Sequence, residues 1–311
     1  MKKININNWI ARFIEAEPLR AKSVAVTIFG DSIAPHGGTV WLGGLIDLLA
    51  SFGISDRLVR TSVFRLAEEG WLEAQREGRR SSYTLTPRGV RRFERAYQRI
   101  YAPLNLHWEG QWTLVFGLPG SIDAVERGAL RKELLWEGFC MVAPGVFAHP
   151  STQADALKEI LERGGVGDKV FACTASDLNG VTSRPLADLI AHGWDLAPVI
   201  AGYQQFISQF QALRDFLQHE DVTSPEQAFV IRTLLIHAFR RVQLHDPQLP
   251  LALLPPQWPG TAAYELCRDL YLLTCDGAEQ HLEATLQDEE SGITQAEPYF
   301  YQRFGGLSPR R

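Results

Sequence analysis

The stretch ISDRLVRTSVFRLAEEGWLEAQREGRRSSYTL, from Ile54 to Leu85, decides how the chain is read. Ser55 stands where its side-chain oxygen can accept a hydrogen bond from the open amides of a first helical turn, and Asp56 just inside suits the helix dipole. Val59, Val63, Leu66 and Ala67 recur at helical spacing and form one apolar stripe. Gly70 ends the helix at a residue that tolerates positive φ. Arg57, Arg60, Thr61 and Phe64 lie off the stripe. Trp71 to Arg76 then has strand length, Glu77-Gly78-Arg79-Arg80 supplies a glycine-bearing turn, and Ser81 to Leu85 can return as a second strand. A capped helix followed by a hairpin with two arginines at its tip is the outline of a winged helix-turn-helix. In that motif the helix enters the major groove of DNA and the wing lies along the neighbouring backbone or minor groove. The plainer reading of the same residues is a helix with a charged face and a surface hairpin.

The residues upstream supply the rest of such a module. An amphipathic piece with Trp9, Ile10, Phe13 and Ile14 ends at Pro18, and a helix is expected from Ser23 to Gly30. Pro35-His36-Gly37-Gly38 reads as a turn, Thr39 to Leu42 as a short strand able to join the hairpin, and Gly43 to Phe52 as a second helix. Charge supports the assignment. The chain of 311 residues has a formal net charge of −5, but residues 1–100 hold 16 Lys and Arg against 10 Asp and Glu, and the remainder 15 against 26. A basic front on an acidic body suits docking of one end on phosphates. After Pro87 a helix from Arg88 to Tyr101 gathers Arg88, Arg91, Arg92, Arg95 and Arg99 on one side. It either extends the phosphate footprint or links to the next domain.

Beyond Pro103 the pattern changes twice. Trp112 to Gly117, Asp123 to Gly138, Cys140 to Ala143, Val146 to Ala148, Gln153 to Arg163 and Lys169 to Thr174 read as strand, helix, strand, strand, helix, strand. The order βαββαβ is ferredoxin-like, with both helices on one face of an antiparallel sheet. From Pro185 strand signals vanish. Helices are expected over 186–193, 202–218, 226–244 and 261–278, with a proline-rich loop around Leu249–Gly260 and an aromatic end, Tyr299 to Phe304. The fold class is therefore α+β in three domains: a winged helix-turn-helix over 1–103, a ferredoxin-like domain over 104–180 and an all-helical domain over 181–311.

Composition bounds the function. No apolar run is long enough to span a bilayer, the start lacks a signal-peptide core, and Cys140, Cys173, Cys267 and Cys275 form no CxxC pairing. A cytoplasmic protein without disulfides is expected, with no membrane partner. No GxSxG, HExxH, Walker or GxGxxG spacing is present, so neither an enzyme nor a bound metal or cofactor is expected. His237 and Arg241, four apart, face the same way on a helix, with Arg240 one position round. These three could hold the phosphates or carboxylate of an anionic effector. They could equally form a buried polar network, with Arg240 or Arg241 paired to acidic neighbours. A His–Asp metal site drawing on His237, His245 and Asp246 is the weakest reading.

The whole chain resembles one family, the repressors of the phenylacetate-degradation operon (the PaaX family). The resemblance rests on FGDSIAPHGGTVWLGGLIDLL, VRTSVFRLAEEGWLEAQREGRRSSYTLT, LLWEGF, LLIHAFRRVQLHDPQLPLALLPPQWPG and the terminal YFYQRFGGL, and runs from about Ser23 to Leu307. It implies a cytoplasmic, homodimeric bacterial repressor that binds palindromic operator DNA of phenylacetate catabolism and is released by phenylacetyl-coenzyme A. Carried over, Arg57, Arg60 and Thr61, with Ser55 at the helix start, belong to the DNA-reading helix, and Gly78, Arg79 and Arg80 to the wing tip. No short effector motif is carried over, so His237, Arg240 and Arg241 remain a physical expectation. A coenzyme A thioester needs cations for its phosphates and an apolar slot for its phenyl ring. An acyl-coenzyme A hydrolase with a vestigial winged helix is the rival reading. A ferredoxin-like nuclease would need acidic metal ligands at strand ends, for which Asp123 stands alone.

Overall fold

A computed structural model describes residues 5–104, 107–117, 120–150, 154–177, 185–219, 223–287 and 294–307. The chain divides into two compact units, one of residues 1–103, 203–243 and 260–311, the other of 104–202 and 244–259. Gln153 and the expected boundary at 180/181 lie outside the described residues.

The first unit opens with α1 (Ile6–Ala16), capped by the Asn5 side chain accepting from the Asn8 amide at 3.0 Å. Then come α2 (Ala21–Ile28), β1 (Thr39–Trp41), α3 (Leu42–Ala50), α4 (Asp56–Glu68), β2 (Leu72–Glu77), β3 (Arg80–Leu85) and α5 (Pro87–Tyr101). The strands form an antiparallel sheet in the order β1-β3-β2, with Tyr83 of the central strand opposite both Val40 and Ala74. This is the winged helix-turn-helix that the sequence predicts. The helix expected to stop at Gly30 instead continues through a π-helical turn, Phe29–Ile33, and a 3-10 turn, Ala34–His36. Gly30 is there for space: a Cβ on it would lie 2.7 Å from the Phe93 ring of α5. The widened turn aims Asp31 and Ser32 into the interior, as π turns re-aim side chains elsewhere.

The C-terminal region is helical, as expected, but it does not stand apart. Most of α9 (Ala197–Leu217), together with α10 (Pro225–Gln243) and α11 (Gly260–Leu286), belongs to the same unit as the winged module. Every residue of α10 from Ala228 to Phe239 is buried, the signature of a helix surrounded on all sides. Phe229 meets Phe52 edge-on at 6.1 Å, the Ser51 hydroxyl donates to Glu226 at 2.9 Å, and Gly277 of α11 lies so close to Ala228 that a Cβ there would clash. The three-domain division therefore gives way, in packing, to two units.

A buried polar cluster ties these segments together. The Asp31 carboxylate faces Arg232 Nε at 3.0 Å and Arg303 Nη1 at 3.1 Å, and accepts from the Tyr101 and Tyr271 hydroxyls at 2.6 and 3.1 Å. Arg232 also pairs with Glu279 and donates to Ser32 Oγ, while both ring nitrogens of His36 face oxygens, the Ser32 carbonyl at 2.6 Å and Glu279 at 3.1 Å. Arg303 lies over the Tyr101 ring at 4.2 Å and over Phe300 at 4.6 Å. Burial alone would raise the Glu279 pKa, but Arg232 and His36 outweigh it and hold it at about 2. Burial and the neighbouring Asp31 push the Tyr101 hydroxyl well above its ordinary range, so it stays a donor.

In the second unit β4 (Gln111–Gly117), α6 (Ala124–Trp136), β5 (Cys140–Ala143), β6 (Val146–His149), α7 (Ala154–Gly164) and β7 (Val170–Ser176) give an antiparallel sheet in the order β5-β6-β4-β7, the ferredoxin-like arrangement. Asp123 and Glu126 form a capping box at the start of α6. Val115 and Phe147 pack against Leu130, Leu134, Leu157 and Ile160 of the two helices. The opposite face is apolar too: Trp112, Cys140 and Ala148 are covered by Ile190 of α8 (Leu186–Gly193), by Trp194 and Leu196, and by Leu249. Hence the segment 244–259, expected in the helical domain, belongs here. His149 Nε2 sits 3.0 Å from the Pro247 carbonyl, and the Trp194 indole donates to the Gly138 carbonyl at 2.7 Å.

Replacing Asp31 by Asn would leave the buried Arg303 guanidinium without a carboxylate and Arg232 with Glu279 alone. We expect a loss of about 3–5 kcal/mol in unfolding free energy, the cost of removing one partner of a buried ion pair. Urea denaturation checks it; a change under 1 kcal/mol would show that the cluster does not hold the unit together.

Candidate nucleic-acid interface

The winged module exposes basic side chains on α4 and on the wing. On α4 the residues Val59, Ser62, Val63 and Leu66 are buried, whereas Ser55, Arg57, Arg60, Thr61, Phe64, Arg65 and Glu68 are exposed. The expected split between core stripe and outer face is thus observed. Ser55 corrects one expectation. Its backbone has the extended conformation of a helix cap (φ −70°, ψ 151°), but its side chain makes no capping hydrogen bond. Asp56 in the first turn interacts with Arg60, accepting from its Nη2 at 3.2 Å, so this carboxylate both suits the dipole and orients the guanidinium. Thr61 donates to the Arg57 carbonyl one turn back at 2.9 Å.

The wing follows from a two-residue hairpin loop, Gly78-Arg79, closed by the Glu77–Arg80 pair. Gly78 has φ +60°, which a side chain would resist. Arg79 and Arg80 are both exposed. Structure brings the wing and the helix together: Arg60, Arg79, Arg80 and Ser81 line one cavity of about 390 Å³ with Gly43, Gly44 and Asp47 of α3. Three guanidinium groups around a groove next to an exposed helix face can hold phosphates while the helix reaches base edges. Gly43, Gly44, Asp47 and Arg65 were not singled out in the sequence. Arg65 carries the clearest signal, because it lies four residues beyond Thr61 on the same face. Of the basic α5 residues, Arg88, Arg91 and Arg92 are exposed, and Arg92 lies over the Trp71 ring at 4.6 Å, next to the start of β2.

The candidate effector residues are placed differently. His237 is buried with Nδ1 2.9 Å from Thr27 Oγ1, and Arg240 donates to the carbonyl and hydroxyl of Ser23 at 2.9 Å each. Arg241 is more exposed and pairs with Glu17 at 2.7 Å. Packing of α10 against α1 and α2 uses all three side chains, so the polar-network alternative describes their geometry. His245 and Asp246 fall in the other unit, where Asp246 accepts from the Gln248 amide at 2.7 Å. Among the described residues no group of three or more His, Cys, Asp or Glu side chains is arranged to hold a metal ion, and no helix is long and apolar enough to cross a membrane.

Burial, reinforced by Arg240 and Arg241, lowers the His237 pKa from 6.5 to about 3. The unfolded chain therefore takes up a proton near pH 6.5 that the folded chain refuses until about 3. This contribution to stability is complete above pH 6.5 and is lost as the pH falls from there. We expect His237→Gln to flatten the decline in urea midpoint between pH 7 and 5. Parallel wild-type and variant curves would contradict it.

Residues 20–89 match the family described as PaaX-like protein, residues 105–187 the PaaX protein central Cas2-like domain, and residues 194–284 the PaaX-like protein C-terminal domain. Packing joins most of the first and third matched stretches in one unit. The Transcriptional repressor PaaX of Escherichia coli (strain K12) is 35% identical over 304 residues, 97% of this chain and 96% of the relative. Uncharacterized protein Rv0674 from Mycobacterium tuberculosis is similar in structure with a TM-score of 0.47 and 25% identity, covering 78% of this chain and 89% of that one. With its winged module, its ferredoxin-like sheet and its helical C-terminal region all matched in order, the chain belongs to the PaaX-like protein family.

Proposed function

We propose that this protein is a DNA-binding transcriptional repressor of phenylacetate catabolism genes, released from its operator by phenylacetyl-coenzyme A. The observation that carries the DNA reading is the exposed face of α4, with Arg57, Arg60 and Thr61, beside a groove shared by Arg60, Arg79 and Arg80. Such a face offers side chains for base edges and separate cations for the backbone. Similarity along the whole chain to a transcriptional repressor favours a regulator over an acyl-coenzyme A hydrolase, which the missing catalytic spacings also disfavour. The homodimer is part of the proposal: two winged modules on a palindrome would read half-sites one helical turn apart or a multiple of it.

Release requires that the effector bind better to a conformation with the wings wrongly spaced. A coenzyme A phosphate that recruits Arg240 would take it from Ser23, on the helix that opens the winged module. The effector reading is thereby linked to the DNA-binding face through α2, and opening of the α2–α10 contact would be its first step.

Two measurements test the proposal. Fluorescence anisotropy on promoter fragments of the organism's own phenylacetate genes should show binding that phenylacetyl-coenzyme A reverses and free phenylacetate does not. Binding that ignores both compounds would discard the effector and keep the regulator, and binding to no fragment would discard both. On a bound fragment, Arg60→Ala should cost about 1–3 kcal/mol of specific affinity. Arg79→Ala should reduce the slope of log affinity against log salt by about one unit, the signature of one lost phosphate contact. Wild-type affinity in Arg60→Ala would remove α4 from the role of reading helix.

A further inference from the structure

Phe64 is the side chain of the DNA-facing surface that phosphate binding leaves unexplained. It is 60% exposed, more than Leu58 at 52%, Tyr301 at 47% or Val90 at 39%, the other large apolar side chains open to solvent among the described residues of the first unit. It is not at the margin of its helix. At 3.6 residues per turn, the steps of four, three and four residues that join Arg57, Thr61, Phe64 and Glu68 keep them within about 60° of one another. That band lies opposite buried Val59, Val63 and Leu66. Phe64 therefore stands in the middle of the outer face, flanked by Arg57, Arg60 and Thr61.

The surroundings decide what could cover the ring. A protein-docking patch is apolar at its centre over many residues, whereas here the neighbours are guanidinium groups, a hydroxyl and a carboxylate. The major groove offers contacts of two kinds, hydrogen-bonding base edges and the C5-methyl group of thymine. Arginine and threonine suit the first. A lone aromatic ring among them suits the second. We propose that Phe64 is a specificity-determining residue that packs on a thymine methyl in each half-site. Arg57 and Phe64 are seven residues apart, about 10 Å along the helix axis. Duplex DNA rises about 3.4 Å per base pair. The thymine should then lie about three base pairs from the base addressed by Arg57. The inference rests on the DNA-binding reading above and adds to it which chemical group of the base is recognised.

The test removes the methyl group without altering base pairing. A duplex enriched by the full-length protein from a random-sequence pool is resynthesised with deoxyuridine replacing thymidine, one position at a time. At one thymine per half-site the wild type should bind about fourfold more weakly, the effect of one buried methyl group. Phe64→Ala should bind the thymidine duplex more weakly and no longer distinguish the two at that position, while Phe64→Leu should keep most of the distinction. The proposal is overturned if the wild type ignores every replacement, or if Phe64→Ala keeps the full methyl dependence. A change of sedimentation coefficient in Phe64→Ala with methyl dependence intact would likewise overturn it and assign the ring to contact between protein copies. Enrichment of no sequence at all would instead remove the DNA reading, and this inference with it.

Discussion

A carboxylate buried between two arginines is the constraint on which the first unit depends. Asp31 sits in a widened helical turn, with Arg232 from α10 and Arg303 from the C-terminal segment closing on it. Each charge taken from water needs its partners in place, so no one of the three segments can move away alone. Tyr101 of α5 and Tyr271 of α11 donate to the same carboxylate, and Glu279 and His36 complete the ring around Arg232. Five stretches of chain, separated by up to 272 residues, thus meet at one polar centre. Two acids and two arginines keep it close to neutral, and the aromatic rings around Arg303 shield it from water.

This arrangement bears on regulation. The residues that precede the wing sheet, Asp31, Ser32 and His36, are the same residues that engage the C-terminal helices. Next to them, Ser23 and Thr27 of α2 meet Arg240 and His237 of α10. A change in the packing of α10 would therefore act directly on α2, the helix that leads into the wing sheet, with no need for a long relay.

Much of this is legible in the sequence. The outer face of α4, the Gly78 turn, the three-stranded wing sheet and the ferredoxin-like order all follow from short-range patterns: a 3.6-residue period, strand-length runs and glycine at a turn. The exposed arginines of α4 could be found because an exposed face is defined by the same periodicity that defines the buried one. Ser55 has the residue type of a cap, while whether its hydroxyl turns to the amides is decided by local alternatives. Gly30 looked like a helix stop, but its role is to make room for Phe93, a residue 63 positions away. The trio at 237–241 was ambiguous because i, i+4 spacing gives a shared face without saying whether that face meets solvent or another helix.

The sequence by itself determined most helices and strands, the family and the polarity of α4, since these depend on neighbours within a few residues. Only the tertiary structure decided that the C-terminal helices share a unit with the winged module, that the proline-rich segment covers the second face of the sheet, and that Arg240 and His237 point inward. The arginine in YFYQRF and the aspartate in FGDS were each visible as a charge in an apolar run. That they neutralise one another is a matter of long-range pairing, which a single sequence does not encode in any local period.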